Sequence, residues 1–67
     1  MESVWVNGTA TDVPAGRSVA ELVEEYSDRT TGIAVAVNQT VLTKAEWART
    51  AVQSGDRVEI VSATQGG

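Results

Sequence analysis

The chain has 67 residues, 42% of them hydrophobic and 21% charged, with a formal net charge of −4. This length predicts one small domain, and the lack of cysteine and histidine excludes disulfides, thiolate nucleophiles and the commonest metal ligands. The acidic balance disfavours nucleic acids and anionic membranes as partners, and no apolar run approaches membrane-spanning length, so we expect a cytoplasmic protein.

A β-hairpin is predicted at the start of the chain. Apolar residues alternate across residues 3–7, and a threonine-rich segment at residues 9–13 follows as a second, weaker strand. The Asn7-Gly8 pair between them is typical of a type I′ turn, which needs positive φ at both central residues. Because Val4 and Val6 share one face of the first strand, Trp5 lies on the other.

A helix is predicted after this hairpin. Ser18 and Glu21 have the spacing of a capping box, and an apolar stripe indicates a helix that ends near Tyr26. The stripe consists of Val19, Leu22, Val23 and Tyr26. Three acidic residues lie off the stripe and form either a recognition face or, as we favour, a solvated face. They are Glu21, Glu24 and Glu25.

The second half of the chain begins with a loop at residues 28–32 and an apolar segment at residues 33–37. Because this segment is apolar on both faces, it is predicted to be a central strand that the helix covers on at least one side, with its small alanines on the tighter side. A turn at residues 38–39 then leads to a short strand at residues 40–42.

A second, shorter helix is predicted before the last strand. Thr43 and Glu46 repeat the capping-box spacing, and the helix that they open should hold Trp47 as a core anchor. We expect Ala51-Val52 to return to the core. The last strand is predicted at residues 58–61, where apolar and polar residues alternate.

These elements predict an α+β fold, with a mixed sheet of about four or five strands and one main helix on one of its faces. The helical crossover suits a parallel strand pair within the sheet. We expect one domain at residues 1–62 and a flexible C-terminal tail at residues 63–67, where no large side chain remains to be buried.

The tail ends in Gly66-Gly67, which Gln65 precedes. Residues without side chains can be threaded through a narrow channel, since no Cβ limits their approach to another backbone. A terminal carboxylate on Gly67 is ionised at neutral pH and is a poor electrophile, so a separate enzyme must activate it, for example as an acyl adenylate made from ATP. The sequence therefore favours a carrier protein over an enzyme, and a binding module that presents Trp5 stays open.

Several segments, in order, resemble the ThiS family of sulfur carrier proteins of thiamin biosynthesis, which belongs to the ubiquitin-like β-grasp group. The resemblance runs through Val4-Trp5-Val6-Asn7-Gly8, the helix start at residues 16–22, the strand at residues 32–38, Trp47 and the ending at residues 55–67. No single motif is decisive, but the ordered set is specific.

The resemblance implies a definite chemistry. Gly67 would be adenylated by a ThiF-type adenylyltransferase that uses ATP, and it would then take sulfur from a persulfide donor to become a thiocarboxylate. This thiocarboxylate would supply thiazole synthase, ThiG, with the sulfur of the thiazole ring. Gly66 and Gln65 would belong to the reactive tail, while Trp5 and Val61 would dock on the partner enzymes. The chain itself would bind no cofactor and no metal.

Other functions share parts of this pattern. The small subunit of molybdopterin synthase is expected to have the same fold, tail and chemistry with a different acceptor, and other sulfur carriers, including one that feeds cysteine synthesis, are further relatives. A β-grasp interaction module, in which the terminal glycines are incidental, belongs to a different class. A chain that lacks Gly67 separates these classes, because a pure interaction module should keep its partner.

Overall fold

The computed structural model describes residues 1–26 and 32–62. Within these ranges the chain forms five strands and two helices in the predicted order. They are β1 (Glu2–Val6), β2 (Thr9–Val13), α1 (Val19–Tyr26), β3 (Ile33–Val37), β4 (Thr40–Leu42), α2 (Lys44–Trp47) and β5 (Arg57–Ser62). The predicted tail at residues 63–67 and all but Gly32 of the predicted loop lie outside the described residues.

The strands form one mixed sheet in the order β2-β1-β5-β3-β4. β1 and β5 are parallel neighbours, with Trp5 opposite Arg57 and Val6 opposite Val58, whereas the other neighbouring strands are antiparallel. This confirms the parallel pair that the crossover predicts. β3 is an interior strand between β5 and β4, but the middle position belongs to β5, the strand that leads into the tail.

Both hairpin turns depend on positive backbone φ angles. Asn7 and Gly8 have φ values of 51° and 83°, as the predicted type I′ turn between β1 and β2 requires. Asn38 and Gln39, with φ values of 52° and 74°, connect β3 to β4 in the same way. Asparagine tolerates this conformation because its short polar side chain can form local hydrogen bonds.

Both predicted capping boxes are present at the helix starts. The backbone N–H of Glu21 donates to Ser18 Oγ over 3.1 Å, and the N–H of Ser18 donates to Glu21 Oε1 over 2.9 Å. Thr43 and Glu46 make the same two contacts, at 3.3 and 2.7 Å. The backbone N–H groups of Ser18 and Thr43 stabilise the charged carboxylates and so lower the pKa of Glu21 and of Glu46.

The hydrophobic core lies between the sheet and the two helices. Trp47 is buried, which confirms its predicted role as a core anchor. Val52 also returns to the core, but Ala51 stays exposed. Ala51 pairs with Ser18 in an isolated antiparallel bridge, and successive side chains of extended backbone point to opposite sides. The buried cluster consists of Val4, Val6, Val13, Val19, Leu22, Val23, Val35, Trp47, Val52, Val58 and Ile60.

Two further predicted placements are wrong. Tyr26 is 52% exposed rather than part of the buried stripe, since its hydroxyl accepts a hydrogen bond from Asn7 Nδ2 over 2.7 Å at the edge of the core. Ala34 and Ala36 were predicted on the tighter side of the strand, but they lie on the side that the helix leaves uncovered. Val35 faces the core, so the strand pleat turns both alanines to the opposite face of the sheet.

Candidate functional site

In the described part of the chain, the helices cover one face of the sheet and leave the other uncovered. Side chains alternate along each strand, so the residues between core positions share the uncovered face, which we call the open face. Its members on four strands are Trp5 of β1, Ala34 and Ala36 of β3, Val41 of β4, and Arg57, Glu59 and Val61 of β5.

One half of the open face is apolar. Ala34 lies opposite Val61 and Ala36 lies opposite Val41 in the antiparallel ladders, so these four side chains are neighbours. Val41 is 73% exposed and Val61 is 55% exposed. Together with Glu59 these residues line a shallow depression. Aliphatic residues grouped on an uncovered sheet indicate a surface that binds another protein.

The other half of the open face is aromatic and charged. Trp5 is 44% exposed and lies opposite Arg57 in the parallel β1–β5 pair. A second depression is lined by Trp5, Gly8 and Arg57 together with Val58 and Glu59. Glu59 therefore borders both depressions and joins the two halves into one continuous surface. A half-exposed tryptophan beside an arginine is a composition that protein interfaces favour.

Trp5 and Val61, the two docking residues predicted from the sequence, lie on this same face. They are not neighbours, since Trp5 lies opposite Arg57, four residues before Val61, which is about 13 Å along the strand. The open face also contains Ala34, Ala36 and Val41, which were not predicted as docking residues. Strict alternation of alanine with larger residues in β3 is the signal that could have assigned the alanines to the open face.

The open face leads directly into the predicted tail. β5 ends at Ser62, one residue after Val61, and five residues follow in the sequence. The predicted tail residues Gln65, Gly66 and Gly67 lie outside the described residues. Any protein that docks on Val61 therefore holds the chain six residues before Gly67.

The described residues contain neither a cluster of three or more acidic side chains that could hold a metal ion nor a helix long and apolar enough to cross a membrane.

The mixed five-stranded sheet with one main helix on one face defines a ubiquitin-like β-grasp fold. The crystal structure of the thiamine biosynthesis protein ThiS from Geobacter metallireducens has the same fold, with a TM-score of 0.82 and 28% sequence identity. The alignment covers 97% of this chain and 99% of that one. The α+β class and the β-grasp architecture predicted from the sequence are therefore confirmed.

The chain belongs to the ThiS family. The model of that family matches residues 4–67, which include all but the first three residues of the chain and both terminal glycines. The sulfur carrier protein ThiS of Escherichia coli (strain K12) is 36% identical over 64 residues, which is 96% of this chain and 97% of that protein. The resemblance found in the ordered segments is thereby confirmed.

Proposed function

We propose that this protein is the sulfur carrier of thiamin biosynthesis and that Gly67 carries the sulfur. The observation that supports this most directly is the family match, which continues through Gly66 and Gly67 to the last residue of the sequence. The similar protein of Escherichia coli is itself a sulfur carrier. The match supports the thiamin carrier over the molybdopterin and cysteine carriers, which differ from it in their acceptors.

The chemistry begins with the Gly67 carboxylate, whose negative charge repels nucleophiles. A ThiF-type adenylyltransferase uses ATP to convert the carboxylate to an acyl adenylate and releases pyrophosphate. A persulfide then attacks the acyl carbon and AMP leaves, so that the carbon is bonded to the outer sulfur of the donor. A thiol then attacks the inner sulfur of the donor, so that the S–S bond breaks, a new disulfide joins the thiol to the donor, and the outer sulfur remains on Gly67 as a thiocarboxylate.

The thiocarboxylate is then the sulfur source for the thiazole ring, which a thiazole synthase of the ThiG type assembles. In this scheme the chain is a co-substrate rather than an enzyme, because its partners supply every catalytic group and the nucleotide. The chain holds no cofactor of its own, and ATP binds to the activating enzyme. Gln65 and Gly66 belong to the tail that precedes Gly67, and Gly66 places no side chain at the entry to a closed active site.

The open face is the surface that docks on both partner enzymes. Its apolar half, with Val41 and Val61, supplies area to bury, and Trp5 supplies an aromatic anchor at the other end. The five residues after Ser62 reach at most about 17 Å when fully extended. The reactive centre of each partner should therefore lie within about 17 Å of the point where β5 ends.

A reconstituted reaction tests this function. The chain is combined with an active ThiF-type enzyme, ATP, a persulfide donor, the ThiG-type synthase and its organic substrates, and thiazole product is measured. We expect product with the full chain and none with a chain that lacks Gly67, although the shortened chain should still bind the activating enzyme. Equal product from the two chains would contradict the carrier role, and binding without any consumption of ATP would indicate an interaction module.

A further inference from the structure

The Asn7 side chain extends the hydrogen bonding between β1 and β5 beyond the last residue of β1. The backbone N–H groups of Trp5 and Asn7 donate to the carbonyl oxygens of Asp56 and Val58, each over 2.9 Å. The next acceptor in this series along β5 is the Ile60 carbonyl. It accepts from Asn7 Nδ2 over 3.0 Å, so a side-chain amide takes the position of a backbone donor.

The same amide also replaces a backbone acceptor. The Ile60 N–H donates to Asn7 Oδ1 over 2.8 Å, and the second hydrogen of Asn7 Nδ2 is directed to the Tyr26 hydroxyl over 2.7 Å. Since the Ile60 N–H requires an acceptor and the Ile60 carbonyl requires a donor, only one orientation of the amide satisfies both. We call this arrangement of Asn7, Ile60 and Tyr26 the Asn7 clamp.

The Asn7 clamp acts at the last part of β5 that β1 can reach. Beyond Ile60, the pairs Ala34–Val61 and Ile33–Ser62 connect β5 to β3 on its other side. The clamp therefore holds the β1 side of the strand two residues before its end at Ser62. It also lies seven residues before Gly67 in the sequence.

We propose that Asn7 is a positioning residue for the sulfur-carrying tail, and this inference rests on the function proposed above. By holding both backbone groups of Ile60, the clamp fixes the β1 side of β5, and the pairs with β3 hold its other side as far as Ser62. A docked carrier whose tail starts in one direction loses less conformational freedom when Gly67 enters the active site of its partner. Asn7 contributes to the reaction through this preorganisation and touches none of the reacting atoms.

The turn and the clamp can be separated by substitution. Asn7→Gly removes the amide but keeps the positive φ that the turn requires. Asn7→Asp keeps an acceptor for the Ile60 N–H, but its carboxylate cannot donate to the Ile60 carbonyl. Both variants retain the open face, so neither should change how the chain docks on the activating enzyme.

Asn38 provides a matched control at the other end of β5. It has the same backbone conformation, with a φ of 52°, and its Oδ1 accepts from the Arg57 N–H over 3.0 Å. Its Nδ2 donates to Asp56 Oδ1 over 3.1 Å. Asn38→Gly therefore removes an equivalent amide from an equivalent turn, but at the start of β5 rather than near the tail.

The test measures pyrophosphate release by the ThiF-type enzyme, with the carrier as the varied substrate. Removal of the clamp hydrogen bonds should lower kcat by roughly three- to tenfold for Asn7→Gly and Asn7→Asp, while KM stays within about twofold. Asn38→Gly should keep both constants within about twofold. A merely structural role for Asn7 would not produce this separation of kcat from KM, nor the contrast with Asn38.

Amide hydrogen exchange supplies the second readout. In Asn7→Gly the Ile60 amide should exchange at least about tenfold faster, while the Val58 amide, two residues earlier on the same side of β5, stays protected. Faster exchange at Ile60 with unchanged kcat would overturn the inference, and so would equal losses of kcat in Asn7→Gly and Asn38→Gly. A wild-type chain that causes no pyrophosphate release would instead refute the proposed function, and the inference with it.

Discussion

The separation of the sheet into a core face and an open face can be tested within one strand. Val58 and Val61 both lie on β5, but Val58 is 1% exposed and Val61 is 55% exposed. Valine to threonine keeps the shape and the strand preference of the side chain while it replaces a methyl group with a hydroxyl. At position 58 that hydroxyl is buried among aliphatic side chains, whereas at position 61 water can reach it.

The expected difference follows from the cost of burying a hydroxyl. Val58→Thr should lower the free energy of unfolding by about 2 kcal/mol. This is a large part of the roughly 3–10 kcal/mol expected for a domain of this size, and it corresponds to a fall in Tm of about 8–16 °C. Val61→Thr should change the free energy of unfolding by less than about 0.5 kcal/mol.

Urea denaturation followed by tryptophan fluorescence measures both values, because the buried Trp47 reports on the core. Equal destabilisation by the two substitutions would refute the assignment of Val61 to the open face. A neutral Val58→Thr would refute the assignment of Val58 to the core.

Three further predictions concern docking, acid stability and the first turn. Val61→Lys should raise KM for the activating enzyme at least about tenfold, because it puts a charge into the apolar half of the docking surface. The control variant Ala15→Lys makes the same change in charge in an exposed loop and should leave KM unchanged. Equal effects of the two variants on KM would count against a specific docking surface. The pKa values of Glu21 and Glu46 are lowered in the folded state, so their contribution to stability is complete above about pH 5 and is lost as the pH falls through and below the ordinary carboxyl range. Replacing both with glutamine should therefore flatten the fall of Tm between about pH 5 and pH 3, and an equally steep fall in thermal melts would contradict this. Gly8→Ala should lower the free energy of unfolding by about 1 kcal/mol. The cause is backbone strain at a φ of 83° and not a steric clash, because no atom lies within 4 Å of the added Cβ. A stabilised variant in the same urea assay would contradict the turn geometry.

Local sequence signals determined most of the elements. The Asn7-Gly8 turn and the two capping boxes could be predicted because each depends on residues at most three positions apart. The buried positions of α1 could be predicted from the helical spacing of its apolar residues. The core positions of β1 and β5 could be predicted from the alternation of apolar and polar residues. In each capping box the side chain and the backbone N–H that it accepts from are three residues apart in the sequence.

Features that depend on contacts between distant segments could not be predicted in the same way. Tyr26 fits the apolar stripe by spacing, but its hydroxyl finds Asn7, nineteen residues away, and stays half exposed. The contact between Asn7 and Ile60 spans 53 positions and exists only because β5 pairs with β1. Nothing in the local pattern around Asn7 distinguishes a turn asparagine from one that also clamps the last strand.

The candidate site likewise combines features that local sequence predicts with features that depend on distant segments. Exposure of Trp5 and the end of the last strand near Val61 could be predicted from alternation within single strands. Their position on one continuous surface required the strand order, which brings β3 and β4 beside β5 and so adds Ala34, Ala36 and Val41. Apolar residues on both sides of β3 are compatible with a strand that is covered twice, and only the arrangement of the helices shows that one side is open.

Intact-mass measurement tests whether Gly67 carries sulfur. The chain is incubated with an active ThiF-type enzyme, ATP and a persulfide donor, and the product is fragmented to locate the change. We expect one oxygen to be replaced by sulfur at Gly67, and no change in a chain that lacks this residue. An unchanged mass with an enzyme that is active on its own cognate carrier, or sulfur at any other residue, would contradict the role of Gly67 as the sulfur carrier.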